Sequence, residues 1–92
     1  MDDRTLKDFM STFIFLQKFN CFEAIDAMFG KMLKEDWSTE SLATNKILIV
    51  TFLRTNCQFK EKISNYKDFL SKSVKYLESY NIEPKSLLHG LI

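Results

Sequence analysis

A chain of 92 residues that is 46% hydrophobic and 27% charged, with a formal net charge of +1, predicts a single folded domain over residues 1–92. This composition excludes a disordered chain. The longest unbroken apolar runs, at 13–16 and 47–50, are far shorter than the roughly 20 residues of a membrane-spanning helix, so we expect no membrane association. The start at Met1 has no basic and apolar leader, and we therefore expect a complete, cytoplasmic chain.

The residues that usually carry chemistry are few. Cys21 and Cys57 are the only cysteines and His89 is the only histidine, and neither cysteine belongs to a CxxC motif. A zinc site needs four ligands, and no spacing in the chain suggests the missing ones. Gly30 and Gly90 are the only glycines, which excludes a glycine-rich phosphate loop. We therefore predict two reduced thiols, no metal, no cofactor and no catalytic residue, which means a protein that is not an enzyme.

Two helices are predicted in the first third of the chain. The first runs from about Thr5 to Lys18 and the second from about Phe22 to Lys34, with a break at Asn20. The apolar stripe of the first helix consists of Leu6, Phe9, Met10, Phe13 and Leu16. Gly30 lies in the middle of the second helix, where it costs about 1 kcal/mol relative to alanine, and we expect it to permit a close approach by another helix.

The first helix carries more aromatic side chains than one neighbour would cover. Phe15 and Phe19 widen its apolar stripe beyond a single face. Phe13, Phe15 and Phe19 are therefore our candidate self-association residues, and a homodimer is one expected consequence. The alternative is that all of these rings fill the core of the monomer.

A third helix is predicted from about Thr39 to Arg54. Ser38 is suited to be its N-cap, and Trp37 and Leu42 occupy the two positions of a hydrophobic staple. The run at 47–50 surrounds the helix axis with apolar side chains, which predicts a central, buried helix. A buried strand has the same pattern, but the chain offers no second strand to pair with it.

The last third predicts one long helix and one short helix. Thr55 and Gln58 match a capping box, so we expect a joint near Thr55 and a helix from about Phe59 to Tyr80, with a second start at Ser64. Asn81 can end this helix in a left-handed turn, and Pro84 is suited to the first position of the next. The predicted fold is an all-α bundle of four main helices plus a short C-terminal helix.

An aromatic line on the fourth helix, flanked by lysines, is the candidate partner-binding face. Its residues are Lys62, Tyr66, Phe69, Lys72 and Tyr76. Aromatic rings beside cations suit both protein hot spots and stacked bases. The alternative, which general grounds favour, is that this line packs against another helix, because exposed aromatic patches are uncommon on monomers.

The charge distribution and the preference for lysine over arginine are the last features used to predict function. Residues 1–40 carry a net charge of −3 and residues 41–92 a net charge of +4. Lysine outnumbers arginine by eleven to two, as in AT-rich genomes such as those of many phages and mobile elements. We predict a small intracellular protein that binds and modulates a larger protein, as an inhibitor encoded by a phage or plasmid. The alternative is a nucleic-acid-binding regulator that uses the basic C-terminal half.

Overall fold

The computed structural model describes residues 3–37 and 42–91, with side chains from residue 8 onward except that of residue 9, so the predicted core positions Leu6 and Phe9 lie outside the described side chains. The helices are α1 Asp3–Lys18, α2 Phe22–Leu33, α3 Leu42–Asn56, α4 Tyr66–Ser79 and α5 Pro84–Leu87, with a 3₁₀ helix at Cys57–Lys62. No strand occurs within these two described ranges. The prediction of an all-α bundle with four main helices and a short C-terminal helix is confirmed.

One phenylalanine from each main helix meets the others at the centre of the bundle. Phe13 of α1, Phe29 of α2, Phe52 of α3 and Phe69 of α4 are all fully buried. The ring centroids of Phe13 and Phe52 are 4.4 Å apart, and those of Phe29 and Phe69 are 4.8 Å apart with the rings nearly perpendicular. These distances are in the range of favourable aromatic pairs, so the core is held largely by ring packing.

Two helices end in the same left-handed turn, which the sequence predicts at Asn81, while at Asn20 it predicts only a break. Asn20 has a φ of 55° and Asn81 a φ of 60°. At the end of α1 the amide of Cys21 donates to the carbonyl of Leu16 at 3.0 Å, which is the long hydrogen bond of a Schellman motif. The same pattern closes α4. Asparagine tolerates this backbone conformation better than most residues, so its two positions fix where α1 and α4 stop.

A joint lies near Thr55 as predicted, but Thr55 does not form the capping box on which that prediction rests. α3 continues to Asn56, and the Thr55 hydroxyl donates to the carbonyl of Thr51 one turn earlier instead of capping a new helix. The following segment, Cys57–Lys62, is a 3₁₀ helix and not the first turns of a long α-helix. The predicted cap at Ser38 lies outside the described residues.

α4 starts at Tyr66, two residues after the predicted second start at Ser64, because α2 holds the preceding turn. The Asp26 carboxylate accepts hydrogen bonds from the Ser64 hydroxyl at 2.6 Å and from the Asn65 amide at 2.8 Å. The side-chain amide of Asn65 donates to the Asp26 carbonyl at 3.1 Å. A carboxylate that accepts amides at a helix start acts as a cap, here supplied by another helix.

Gly30 has the predicted role at this junction. A Cβ at this position would lie 3.0 Å from the side-chain nitrogen of Asn65. The absence of a side chain therefore allows the N-terminal turn of α4 to lie against α2.

The prediction that α3 is buried on all sides is corrected. Its inward face is buried and consists of Asn45, Leu48, Ile49, Phe52, Leu53 and Asn56. Its outward face is open, since 67% of Ile47 is exposed. α5 lies beside this open face. The Arg54 guanidinium donates to the carbonyl of Leu87 at 3.0 Å, and the next residue, Leu88, is fully buried.

Candidate protein-interaction surfaces

The aromatic line of α4 lies in the core and not on a face. Tyr66, Phe69 and Tyr76 are each at most 9% exposed. The expectation that they form a partner-binding surface is therefore corrected for the folded chain. The reason is that α4 packs against α2, α3 and α5 together, so the side of the helix that carries these rings is covered.

The hydroxyls of the two buried tyrosines both have hydrogen-bond partners. The Tyr66 hydroxyl donates to the Leu53 carbonyl at 2.7 Å. Burial, and then the nearby Cys57 thiol, raises the pKa of Tyr66 to about 12. The Tyr76 hydroxyl accepts a hydrogen bond from the side-chain amide of Asn45 at 2.8 Å. Each tyrosine thus joins α4 to α3 by a polar contact within an apolar core.

Lys72, one of the predicted partner-binding lysines, binds its own chain. Its ammonium donates to the carbonyls of Leu33 and Glu35, both at 2.8 Å, and lies 4.4 Å from the centre of the Trp37 ring. These carbonyls lie at the C-terminal end of α2, where backbone oxygens lack helical partners and a cation is favourable. Burial lowers the pKa of Lys72, and the carboxylates of Asp36 and Glu35 act in the opposite direction. Lys72 is therefore a cap for α2.

Lys62, the other predicted partner-binding lysine, is exposed but also contacts an aromatic ring of its own chain. Its ammonium lies 4.9 Å from the centre of the Phe22 ring, which in turn lies 4.9 Å from the Phe59 ring. The five predicted partner-binding residues thus do not form one surface. Three are in the core, Lys72 caps α2, and Lys62 lies over α2 at a different place.

The three predicted self-association residues differ in their exposure to solvent. Phe13 is buried against Phe52, whereas Phe15 and Phe19 are 62% and 59% exposed. Ile14, beside them on α1, is 60% exposed. The rings of Phe15 and Phe19 contact each other with centroids 5.1 Å apart. We call Ile14, Phe15 and Phe19 the outer stripe of α1.

A second apolar surface, which sequence reasoning missed, lies between α3 and α5. It is an open groove of about 450 Å³ lined by Ala43, Lys46, Ile47, Val50, Thr51 and Leu87. Ile47 is the most exposed large hydrophobic side chain described. One signal was present in the sequence: Lys46 directly precedes the apolar run at 47–50, and lysine is rarely fully buried. We call this surface the α3–α5 groove.

The described residues contain little that indicates chemistry. Among them no three His, Cys, Asp or Glu side chains are close enough to hold a metal ion. Cys21 and Cys57 are free and half-buried. Of the described polar side chains, the Oδ1 atoms of Asn45 and Asn56 are buried without a hydrogen-bond partner, and both amides donate within the bundle. No described helix combines the length and the apolar character needed to cross a bilayer.

Comparisons of this chain with protein-family models, curated proteins and solved structures found no match. The functional argument therefore depends on the geometry of the two apolar surfaces.

Proposed function

We propose that this protein is a small, non-catalytic interaction protein that binds a larger protein through the α3–α5 groove and modulates it. The observation that carries the proposal is Ile47, an isoleucine with two thirds of its surface exposed at the edge of an apolar groove. Exposing an aliphatic side chain of this size is unfavourable by about 1.5–3 kcal/mol relative to burial. A binding partner that covers the groove recovers this free energy.

The shape of the groove supports a helical or extended segment as the occupant. Ala43, Ile47 and Val50 follow each other at helical spacing along α3, and Leu87 of α5 forms the opposite wall. An amphipathic helix places side chains at positions i, i+3, i+4 and i+7, which matches a groove of this kind.

The charges beside the groove support an acidic partner segment. Lys46 is part of the lining, and Arg54 lies beside Leu87 through its hydrogen bond to the Leu87 carbonyl. The C-terminal half that contains all of these residues has a net charge of +4. We therefore expect the partner to present apolar side chains flanked by Asp or Glu.

The groups whose pKa departs from its ordinary value support a role other than catalysis. A displaced pKa often marks an active site, but buried structural groups show the same effect. Tyr66 donates to Leu53, and Lys72 caps α2. Both displacements accompany contacts that join the helices, and neither group lines the α3–α5 groove.

The location and origin of the protein are part of the same proposal. Free Cys21 and Cys57 in a core-forming chain suit the reducing conditions of the cytoplasm. The strong preference for lysine over arginine suits a phage or plasmid gene. A modulator encoded in this way acts by occupying a host protein, and the small size of the bundle fits an inhibitor.

The alternative, a nucleic-acid-binding regulator, receives less support. Of the lysines in the basic C-terminal half, Lys72 is engaged with two backbone carbonyls and Lys62 lies over the Phe22 ring. The rings of Tyr66, Phe69 and Tyr76 are buried, so they do not provide an exposed platform on which bases could stack.

The experiment is a pull-down from host lysate with three forms of the tagged chain, each with and without nuclease. We expect the wild-type chain to capture one stoichiometric protein, Ile47→Asp to weaken capture by at least about tenfold, and the control Phe15→Asp to retain it. Both substituted side chains are about 60% exposed, so circular dichroism should show unchanged helical content.

Mapping must then place the captured protein on the groove. We expect protection of amide hydrogens in residues 43–51 and 84–88 when the purified partner is added. Capture that Ile47→Asp does not affect would contradict the proposed site. Capture that nuclease abolishes, with an affinity that falls steeply as salt rises, would favour the nucleic-acid alternative.

A further inference from the structure

The side of α1 that carries the outer stripe also carries one exposed acid and one exposed base. Asp8 and Lys18 are both exposed, and they lie ten residues apart, or about 15 Å along the helix. Phe15 lies on the same side of α1 between them, and Ser11, one turn before Phe15, is also exposed. The sequence of features along this side is therefore an acid, a small polar residue, a large ring and a base.

This pattern is complementary to the same pattern on a second α1 helix that runs in the opposite direction. We propose that the outer stripe of α1 binds the same stripe of a second copy of this chain, with the two α1 helices antiparallel. A two-fold axis at the level of Phe13 brings Asp8 of each copy opposite Lys18 of the other. It also brings Phe15 of each copy opposite Ser11 of the other, so that a large side chain meets a small one.

Self-complementarity is what distinguishes a second copy from an unrelated protein. An isologous interface uses one patch twice, so each charge on it must find its opposite on the same patch. α1 satisfies this condition about one axis with two identical Asp8–Lys18 pairs. A parallel arrangement would place Asp8 against Asp8 and Lys18 against Lys18, which is unfavourable.

The exposed rings set the size of the contact. With some 60% of each side chain exposed, the outer stripe offers on the order of 300 Å² of apolar surface per copy, estimated from the roughly 150–250 Å² of a phenylalanine. A standard interface needs about 800 Å² per partner, of which a polar rim supplies a large part. The expected complex is therefore a weak, reversible dimer with a dissociation constant in the micromolar range.

The dimer does not depend on the proposed function. The outer stripe and the α3–α5 groove share no residue. Failure of the groove to bind a partner therefore leaves the dimer untouched, and a monomeric chain leaves the groove untouched.

The experiment measures the mass of the full chain by sedimentation over a concentration series. We expect the wild type to approach twice 10.9 kDa as concentration rises. Phe15→Asp should raise the dissociation constant by about 100-fold, because it places a charge in the centre of the contact twice. Ile47→Asp, an equally exposed site on another helix, is the matched control and should leave the constant unchanged.

Charge exchange tests the antiparallel orientation. Asp8→Lys alone and Lys18→Asp alone should each weaken the dimer by about tenfold at low salt, since each turns two attractive pairs into two repulsive ones. The double exchange, Asp8→Lys with Lys18→Asp, should restore the wild-type constant. The effects of the single variants should shrink in high salt.

Three results would overturn the proposal. A wild-type chain that stays monomeric at about 1 mM would exclude the second copy and assign the outer stripe to another protein. A dimer that Phe15→Asp does not weaken would use another surface. A double charge exchange that fails to restore the dimer would rule out the antiparallel arrangement of α1.

Discussion

α1 and α4 both carry aromatic side chains at helical spacing, yet they direct them differently. All three rings of α4, those of Tyr66, Phe69 and Tyr76, are buried, whereas Phe15 on α1 and Phe19 just after it are mostly exposed. α4 packs against α2, α3 and α5, while α1 packs against α2 and α3. The comparison shows that an aromatic pattern indicates a stripe, and that the number of neighbours decides whether the stripe becomes core or surface.

The chemistry of the rings agrees with this difference. The hydroxyls of Tyr66 and Tyr76 find partners on α3, so these side chains satisfy their polar groups within the core. The side chains of Phe15 and Phe19 have no polar group that could hydrogen-bond to water, yet they are exposed. An exposed pair of phenylalanines is therefore more informative about function than the buried tyrosines.

Alanine substitution on the two helices should give the largest contrast. We expect Phe69→Ala to lower the free energy of unfolding by about 3–5 kcal/mol, because it leaves a cavity among Phe29, Phe52 and Trp37. Phe15→Ala should change it by less than about 0.5 kcal/mol. Chemical denaturation at a protein concentration too low for dimerisation measures both. Equal effects would contradict the assignment of Phe15 to the surface.

Local signals in the sequence predicted the parts of the fold that depend on local physics. Asn20 and Asn81 adopt the left-handed conformation that ends a helix, and Pro84 begins α5. Each depends on the conformational preference of one residue and its nearest neighbours. The same is true of the apolar periodicity that predicted four main helices.

The features that sequence reasoning missed depend on contacts between distant segments. The start of α4 at Tyr66 follows from Asp26, which is some 40 residues earlier and has no motif that indicates a cap for another helix. The exposure of Ile47 follows from the position of α5, which leaves one side of α3 open. The apolar pattern of α3 fits a fully buried helix and a half-exposed helix equally well. Only the positions of the surrounding helices distinguish the two.

Alkaline pH should reveal the burial of Tyr66. The pKa of Tyr66 is about 12 in the folded chain and about 10 when unfolded, so the folded state keeps its proton longer. The contribution of this group is fully present below pH 10 and is lost as pH rises towards 12. We expect the loss to amount to at most about 2–3 kcal/mol of unfolding free energy.

Two tyrosine variants separate this effect from general alkaline destabilisation. Tyr66→Phe should be less stable than the wild type at neutral pH, because it lacks the hydrogen bond to Leu53, but it should lose less stability above pH 10. Tyr80→Phe, at an exposed position, should follow the wild-type curve. Denaturation at a series of pH values gives the three curves. Identical slopes for all three would mean that the hydroxyl of Tyr66 reaches solvent in the folded chain.

The smallest expected effect tests how α4 is positioned. The informative quantity is whether Gly30→Ala raises or lowers the free energy of unfolding. Gly30→Ala should destabilise the wild type by about 1 kcal/mol, because the new methyl group would lie 3.0 Å from the Asn65 side-chain nitrogen and disturb its hydrogen bond to Asp26. In an Asn65→Ala background the same substitution should stabilise by about 0.5–1 kcal/mol, since alanine is the better helix former.

The coupling free energy between positions 30 and 65 decides whether Asn65 sets the distance between α2 and α4. A double-mutant cycle measured by chemical denaturation isolates it, because Gly30→Ala has the same helix propensity gain in both backgrounds. A change of sign means that Asn65 sets the distance between α2 and the start of α4. The same stabilisation in both backgrounds would show that the Asn65 side chain moves aside freely and does not set this distance.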